Sequence, residues 1–579
     1  MRKAKRSLGL LLVLALAVGS LTACGKQTEE AGTGTGTPAQ SSGNTTDSSK
    51  NNTSTAATPT PVPAYETLDK NVTGDISVMV WSGDSVYYAD LGHKDIPTEE
   101  LTTQNVAAVY ALAKAFNKKY PNVKINLYAK ADDPNGNDTS WYQEMENFKA
   151  EHGKYPDVYA STDLAGDVAK GLVADLSVFS DDPVYKSFNK SIMGIMNYYG
   201  FQAGLPQFVQ PWAVWVNKEL AENNNIDVPE PNWTMDEYTE FMASADGKTF
   251  WGEVGLPRSF IDTGCTDINM SMFNYAGTGD RVDLTSDEVA KLLSYVPTWA
   301  KHTIWQEQSK GNVPTEIMDD GWWWGYRFFC RNYVLAYTGD PWMMGAATAP
   351  KMADGSWAVN SVESEDWDIY PRPATPYQPN TVGIVIDPMA IHNYAMDDGN
   401  PEWSDAEKAK FDLAYAFGSF WCGSTESLQA RADQMFNDNG TIKTCLNDSL
   451  PLVTGDQFFA QMDIWYGTEL HARYGDAEKM PGFQYLLELW NAGQIWDISD
   501  KTYPYRVNED GTVVNCLREW LDVTNADITG VAVTDPSWVD TVKANLDDWN
   551  EKINARFRIA EQDVKNGLMN YYGYTEDQF

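Results

Sequence analysis

Gln207, Gln210 and Trp212 stand close together in the stretch Gly204–Leu220, GLPQFVQPWAVWVNKEL. An amide side chain offers both donors and an acceptor, and an indole offers a flat apolar face with a single N–H. Alternation along a strand puts Gln210, Trp212, Val214 and Val216 on one face and Ala213 and Trp215 on the other. An amide and an indole on one face suit a polar ligand that also has apolar faces. A core strand with two buried tryptophans accounts for the same residues. Pro211 lacks a backbone donor, which argues for an edge strand, or one passing between two lobes, rather than a central strand. Two carboxylates join this set by position. Asp84 lies in the polar loop Ser82-Gly83-Asp84-Ser85 after a strand, and Asp163 lies between a strand and a helix. Loops at the carboxyl ends of strands are where open α/β sheets bind ligands. Asp163 also reads as a helix cap.

The elements that must hold these residues read as β-α-β units. Ile76, Val78 and Val80 alternate with Ser77 and Met79 in a strand that runs up to Trp81. Val106, Val109, Tyr110, Ala113 and Tyr120 stripe a helix that Pro121 ends, and Val123, Ile125 and Leu127 alternate as a second strand. Such a unit implies a parallel sheet with a right-handed crossover. Tyr155–Ala160 is a third strand, and Ser161-Thr162-Asp163 caps a helix reaching Leu172-Val173. Thr234–Glu237 and Thr285–Glu288 carry capping boxes and are structural. Tyr333–Tyr337 and Val382–Ile386 read as strands, and Gly339-Asp340-Pro341-Trp342 as a helix start with proline in the first turn. Trp322, Trp323 and Trp324 cannot all face one core. From Pro536 onward one long helix is expected, striped by Trp538, Val542, Leu546, Trp549, Ile553 and Phe557.

A chain of 579 residues exceeds what one compact core holds. Its net charge of −38 makes it a poor partner for nucleic acid or an anionic membrane face. Met1–Arg6 is basic and Leu8–Val18 apolar, and Leu21-Thr22-Ala23-Cys24 resembles the lipobox of bacterial lipoproteins. Residues 1–23 are therefore expected to be a signal peptide, with Cys24 lipidated after cleavage. Two or more acyl chains hold a protein stably on a membrane. Residues 24–73, rich in Thr, Ser, Gly and Asn, cannot bury a core and are expected to be a disordered tether. Its reach is on the order of 40 Å. Cys265, Cys330, Cys422, Cys445 and Cys516 form no CxxC pair and no zinc pattern. Asp133, Asn135, Asn137 and Glu144 match positions of a calcium-loop pattern, but Asp138 replaces its glycine, so a polar surface loop is the preferred reading and no metal is expected.

The order of these motifs resembles the extracellular solute-binding proteins of ABC importers, the family that includes the maltose-binding protein. The resemblance rests on the Trp81 strand with its Gly-Asp loop and on Pro156-Asp157-Val158 through Asp163 to Gly171-Leu172-Val173-Ala174-Asp175-Leu176. It continues through the opening stretch, Trp233–Glu237, Gly339–Trp342 and Trp367–Pro373, over most of residues 75–455. It implies an α/β, two-lobe periplasmic-binding-protein-like fold with hinge crossings and the ligand in the interlobe cleft. The lobes expected are 74–208 with 380–448, and 209–379 with 449–579.

Carried over by position, Asp84 and Asp163 match ligand-contacting aspartates, Gln210 stands where the family has a glutamate near the crossing, and Trp342 matches a stacking aromatic. With Trp81, Gln207, Trp212 and Asp340 they make the expected ligand-binding set. Leu164 and Ala160 depart from the arginine and tryptophan of the maltose binder and argue against maltose itself, and material near 310–330 and 475–535 exceeds the family core. The resemblance implies a monomer without cofactor, anchored by lipid on the outer face of the cell membrane. It would capture an oligosaccharide by hinge closure and pass it to the permease subunits. A sugar's hydroxyls would pair with Asp and amide groups and its C–H faces with aromatic rings. A peptide or another polar metabolite is the alternative ligand. A surface glycosidase working through two carboxylates is the alternative class, though no Gly-x-Ser-x-Gly elbow and no HExxH is present.

Overall fold

The computed structural model describes residues 61–80, 87–97, 101, 104–129, 144–263, 280, 282–321, 325–339, 344–434, 446, 449–497, 505–507, 513–515 and 530–579. Cys24, Trp81, Asp84, Asp340, Trp342, the tryptophan triplet and Asp133, Asn135 and Asn137 of the calcium-like pattern lie outside these residues. The architecture is α/β, as the sequence leads one to expect, and nine of the described strands connect into one sheet in which a single long strand is shared by two sets of partners.

β1 (Gly74–Val80) buries its last five residues without alternation, the pattern of a strand covered on both faces. β2 (Tyr87–Tyr88) is an edge piece. α1 (Gln104–Lys119) carries the chain back to β3 (Val123–Ala129), which pairs in parallel with β1, Ile76 opposite Ile125. β4 (Val158–Ala160) pairs in parallel on the other side of β1 and leads into α2 (Leu164–Ala169). β5 (Asn197–Tyr198) and β6 (Phe201–Gln202) form a hairpin. Tyr199 and Gly200 at its tip both have positive φ, as a type I′ turn requires.

β7 (Leu205–Val216) is the shared strand. α3 (Met235–Ala243) and α4 (Asp287–Lys301) follow, then β8 (Ala336–Gly339), β9 (Asp368–Tyr370) and β10 (Val382–Ile391). Leu205–Trp212 of β7 pairs antiparallel with β10, which in turn pairs with β4. Ala213–Val216 pairs instead with β8 on one side, and Val214–Val216 with β9 on the other. Pro211 falls in the half whose only ladder partner among the described residues is β10, where a missing donor is tolerated. Two residues beyond Trp212, at Val214, the strand becomes central. α5 (Asp405–Gly423) starts from a Ser404–Glu407 capping box, α6 (Pro481–Asn491) packs near β9, and β11 (Ile495–Asp497) adds to β10 in parallel.

Three local expectations are corrected. The strand expected at Tyr333–Tyr337 begins at Ala336 and runs to Gly339. Tyr333 and Leu335 exchange backbone hydrogen bonds with Trp251, so Val334 makes an isolated bridge outside the ladder. The cap of α4 is Ser286, whose hydroxyl accepts from the Val289 amide. The C-terminal helix is two helices, α7 (Trp538–Lys543) and α8 (Leu546–Tyr572), parted at Ala544-Asn545. There the Asn545 side chain donates through Nδ2 to the Thr541 carbonyl, a local bond that competes with helix continuation.

α8 touches both parts of the molecule. Near its start, Asn550 and Asn554 bond the backbone of Val282 and Leu284, just before α4. At its far end the Tyr572 hydroxyl donates to the Val173 carbonyl, and Gly567 lies against α2. A Cβ at Gly567 would stand 2.5 Å from Ala169 Cα and 2.6 Å from the Val168 carbonyl oxygen. Both are backbone atoms and cannot turn aside. Gly567→Val is expected to destabilise the fold by about 1–3 kcal/mol through overpacking, read as a lower urea midpoint.

Candidate binding face on the shared strand

Registration of the ladder fixes which side chains share a face. Trp212 is opposite Gly383, Gln210 opposite Val385 and Phe208 opposite Asp387. β11 places Trp496 beside Gly383 on the other side. Residues level with one another on neighbouring strands point the same way. One face therefore carries, row by row, Trp212-Gly383-Trp496, Gln210-Val385 and Phe208-Asp387. Phe208, Trp212, Val385 and Asp387 are partly exposed, whereas Gln210 is 1% and Trp496 2% exposed. On the opposite face Val209, Ala213 and Trp215 are buried in the main core. Trp215 stacks on Trp367 with centroids 5.3 Å apart and meets Tyr326 and Phe329 edge-on. Trp212, Val385 and Trp496 form a small apolar cluster apart from that core.

Gln207 sits where the register slips between Asp387 and Pro388, so it is the extra residue of a bulge. Its amide makes no hydrogen bond among the described residues, whereas Gln210 is engaged within the protein. Among the described residues the Trp212 and Trp496 indole N–H groups have no partner, but neither have those of the core residues Trp215 and Trp421, so this feature does not mark the face.

Asp163 is buried and caps α2, accepting from the Gly166 amide at 3.0 Å, with Lys170 Nζ 3.9 Å away. Its strand ends level with the binding face, since the Ser161 amide donates to the Pro388 carbonyl at 2.9 Å, next to Asp387. Of the other sequence-derived residues, Trp81 and Asp84 follow β1, and Asp340 and Trp342 follow Gly339, which pairs with Ala213 beside Trp212.

Beyond Trp212, Val214 pairs with Thr338. Glu253 lies there, fully buried. Its carboxylate accepts from the Thr338 amide and hydroxyl, the Tyr238 hydroxyl and the Val254 amide, each at 3.0 Å. All four donors are neutral. Burial outweighs them and pushes the carboxyl up to about 7.

Sequence reasoning missed Phe208, Gly383, Val385, Asp387, Trp496 and Glu253 as neighbours of this face. A glycine inside the Val382–Ile386 strand was a usable signal, because strand glycines mark close backbone approach. Among the described residues no group of three or more His, Cys, Asp or Glu side chains could hold a metal ion, and no helix is long and apolar enough to cross a membrane. Cys330 and Cys422 are free and buried.

Residues 100–263 match the family of bacterial extracellular solute-binding proteins. That segment includes α1, β3, β4 and the whole of β7, so the family resemblance of the sequence is borne out on the strand that carries the face, and the family is one of binding proteins rather than enzymes. No protein in a curated set matches the chain. Among solved structures the chain is similar to an ABC substrate-binding protein from Listeria monocytogenes in complex with cycloalternan, at 15% identity and TM-score 0.48, covering 84% of this chain and 99% of that one. It is similar to a sugar transporter protein from Rhizobium etli in an open conformation, at 15% identity and TM-score 0.47, covering 86% and 99%. It is also similar to an extracellular solute-binding protein from Staphylococcus aureus in complex with maltose, at 15% identity and TM-score 0.45, covering 84% and 99%.

Proposed function

We propose that this chain captures a carbohydrate, an oligosaccharide, on the face of β7 that carries Phe208, Gln210 and Trp212, and hands it to the permease of an ABC importer. One observation carries the reading: a partly exposed indole and phenyl ring flank the buried Gln210 amide on the strand shared by two sets of partners. Flat rings cover sugar C–H faces and amides meet hydroxyls. A ligand touching both lobes binds the closed form better and shifts its population. The ligand set is Trp81, Asp84, Asp163, Gln207, Gln210, Trp212, Asp340 and Trp342, drawn from lobes 74–208 with 380–448 and 209–379 with 449–579. Lipid on Cys24 holds the protein at the outer membrane face, and the tether leaves it free to turn.

The test is a titration of intrinsic tryptophan fluorescence against a panel of oligosaccharides and peptides. A saturable response to a sugar, lost in Trp212→Ala, is expected. A response to peptides with none to any sugar would overturn the assignment.

A further inference from the structure

On the reading that Trp212 meets the ligand, we infer that Trp496 is a positioning residue of the same site, a buried indole that sets the stance of Trp212 across Gly383. Three strands meet here in one row, Trp212 on β7, Gly383 on β10 and Trp496 on β11. Strands lie about 4.8 Å apart, so any side chain on the middle strand would hold the two outer residues apart. Gly383 has none. A Cβ there would stand 3.1 Å from Trp212 Cβ, 3.1 Å from Trp496 Cζ2 and 2.9 Å from the Trp212 carbonyl oxygen. The Trp496 ring thus occupies the space above the glycine and packs in one cluster with Trp212 and Val385.

The asymmetry of the cluster assigns the roles. Trp496 is 2% exposed and Trp212 is partly exposed, so one ring is a backstop and the other is presented. The cluster is separate from the main core, so the Trp496 ring does not serve to fill that core. A ring already held in one rotamer loses less freedom when a ligand settles on it. The segment that supplies Trp496 lies outside residues 100–263, which match the family, whereas Trp212 lies within them.

The test uses protein labelled with 5-fluorotryptophan, the Trp212 signal being assigned by its loss in Trp212→Phe. Trp496→Leu is expected to shift or broaden that signal and to weaken binding of the oligosaccharide found by titration ten-fold or more. Trp496→Phe, which keeps a flat ring, should recover most of both. Where Trp496→Leu fails to fold, Trp496→Met fills a similar volume without a ring and serves the same comparison. An unchanged Trp212 signal in the ringless variant overturns the inference. That signal is read without ligand, so the result stands even where no sugar binds, an outcome that would instead remove the functional reading.

Discussion

Trp212→Ala and Trp215→Ala are expected to fail in opposite ways. They are three residues apart on one strand, yet alternation and the switch of partners after Trp212 send them to different faces. Trp215 is 1% exposed, stacked on Trp367 and boxed by Tyr326 and Phe329. Removing its ring leaves a cavity no neighbour can fill, at a cost of about 3–5 kcal/mol. That shows as a large drop in the urea midpoint, with Kd for the carbohydrate changed little in the protein that remains folded. Trp212 lies outside the main core, and truncating it removes a presented ring. The expected loss is about 2 kcal/mol of binding free energy, roughly 30-fold in Kd, with less than half the stability cost of Trp215→Ala. Calorimetric titration paired with urea unfolding of both variants reads the contrast. If folded Trp215→Ala lost binding while Trp212→Ala kept it, the ligand would sit on the other face.

How much of this was legible beforehand depends on how local each determinant is. The faces of β7 follow from alternation over Phe208–Val216, beyond the bulge at Gln207, and Pro211 already argued against a central strand at its own position. Asp163 read as both a ligand-loop residue and a cap, and its carboxylate does cap α2. Trp496 was not legible. Its strand has three residues, too few to show a period, and its partner Gly383 lies far back in the chain. Tyr333–Tyr337 has the composition of a strand, but its first residues are claimed by Trp251, a non-local pairing that propensity does not report. Glu253 was equally hidden. In Trp251-Gly252-Glu253-Val254 an acid beside apolar residues suggests a solvent-facing position. Only the tertiary meeting of Tyr238, Thr338 and Val254 around it makes an interior carboxyl affordable.

That carboxyl makes stability depend on pH in a direction opposite to that of an ordinary salt-bridged acid. Glu253 is pushed up to about 7 from an ordinary 4.5. Between those two values the folded protein holds a proton that the unfolded chain has released, so its contribution falls as pH rises through the window and is flat above and below. Each pKa unit is worth about 1.4 kcal/mol, so the full swing is on the order of 3 kcal/mol. The surroundings accommodate both forms. The Tyr238 and Thr338 hydroxyls donate to the carboxylate and can turn to accept from the acid. Tyr238 is itself raised well above its usual range by burial and stays neutral, and the His302 carbonyl accepts from the Gly252 and Glu253 backbone amides. Glu253→Gln keeps the volume, leaves a carbonyl for the Val254 and Thr338 amides, and donates to the two hydroxyls. Urea unfolding of both proteins should therefore give nearly equal stabilities at pH 4.5 and a variant more stable by about 3 kcal/mol at pH 8. Because every other titrating group is common to the two chains, their difference isolates this residue despite the net charge of −38. A gap that does not widen with pH would mean that the carboxylate stays ionised in its pocket and that the four neutral donors, rather than burial, decide its charge.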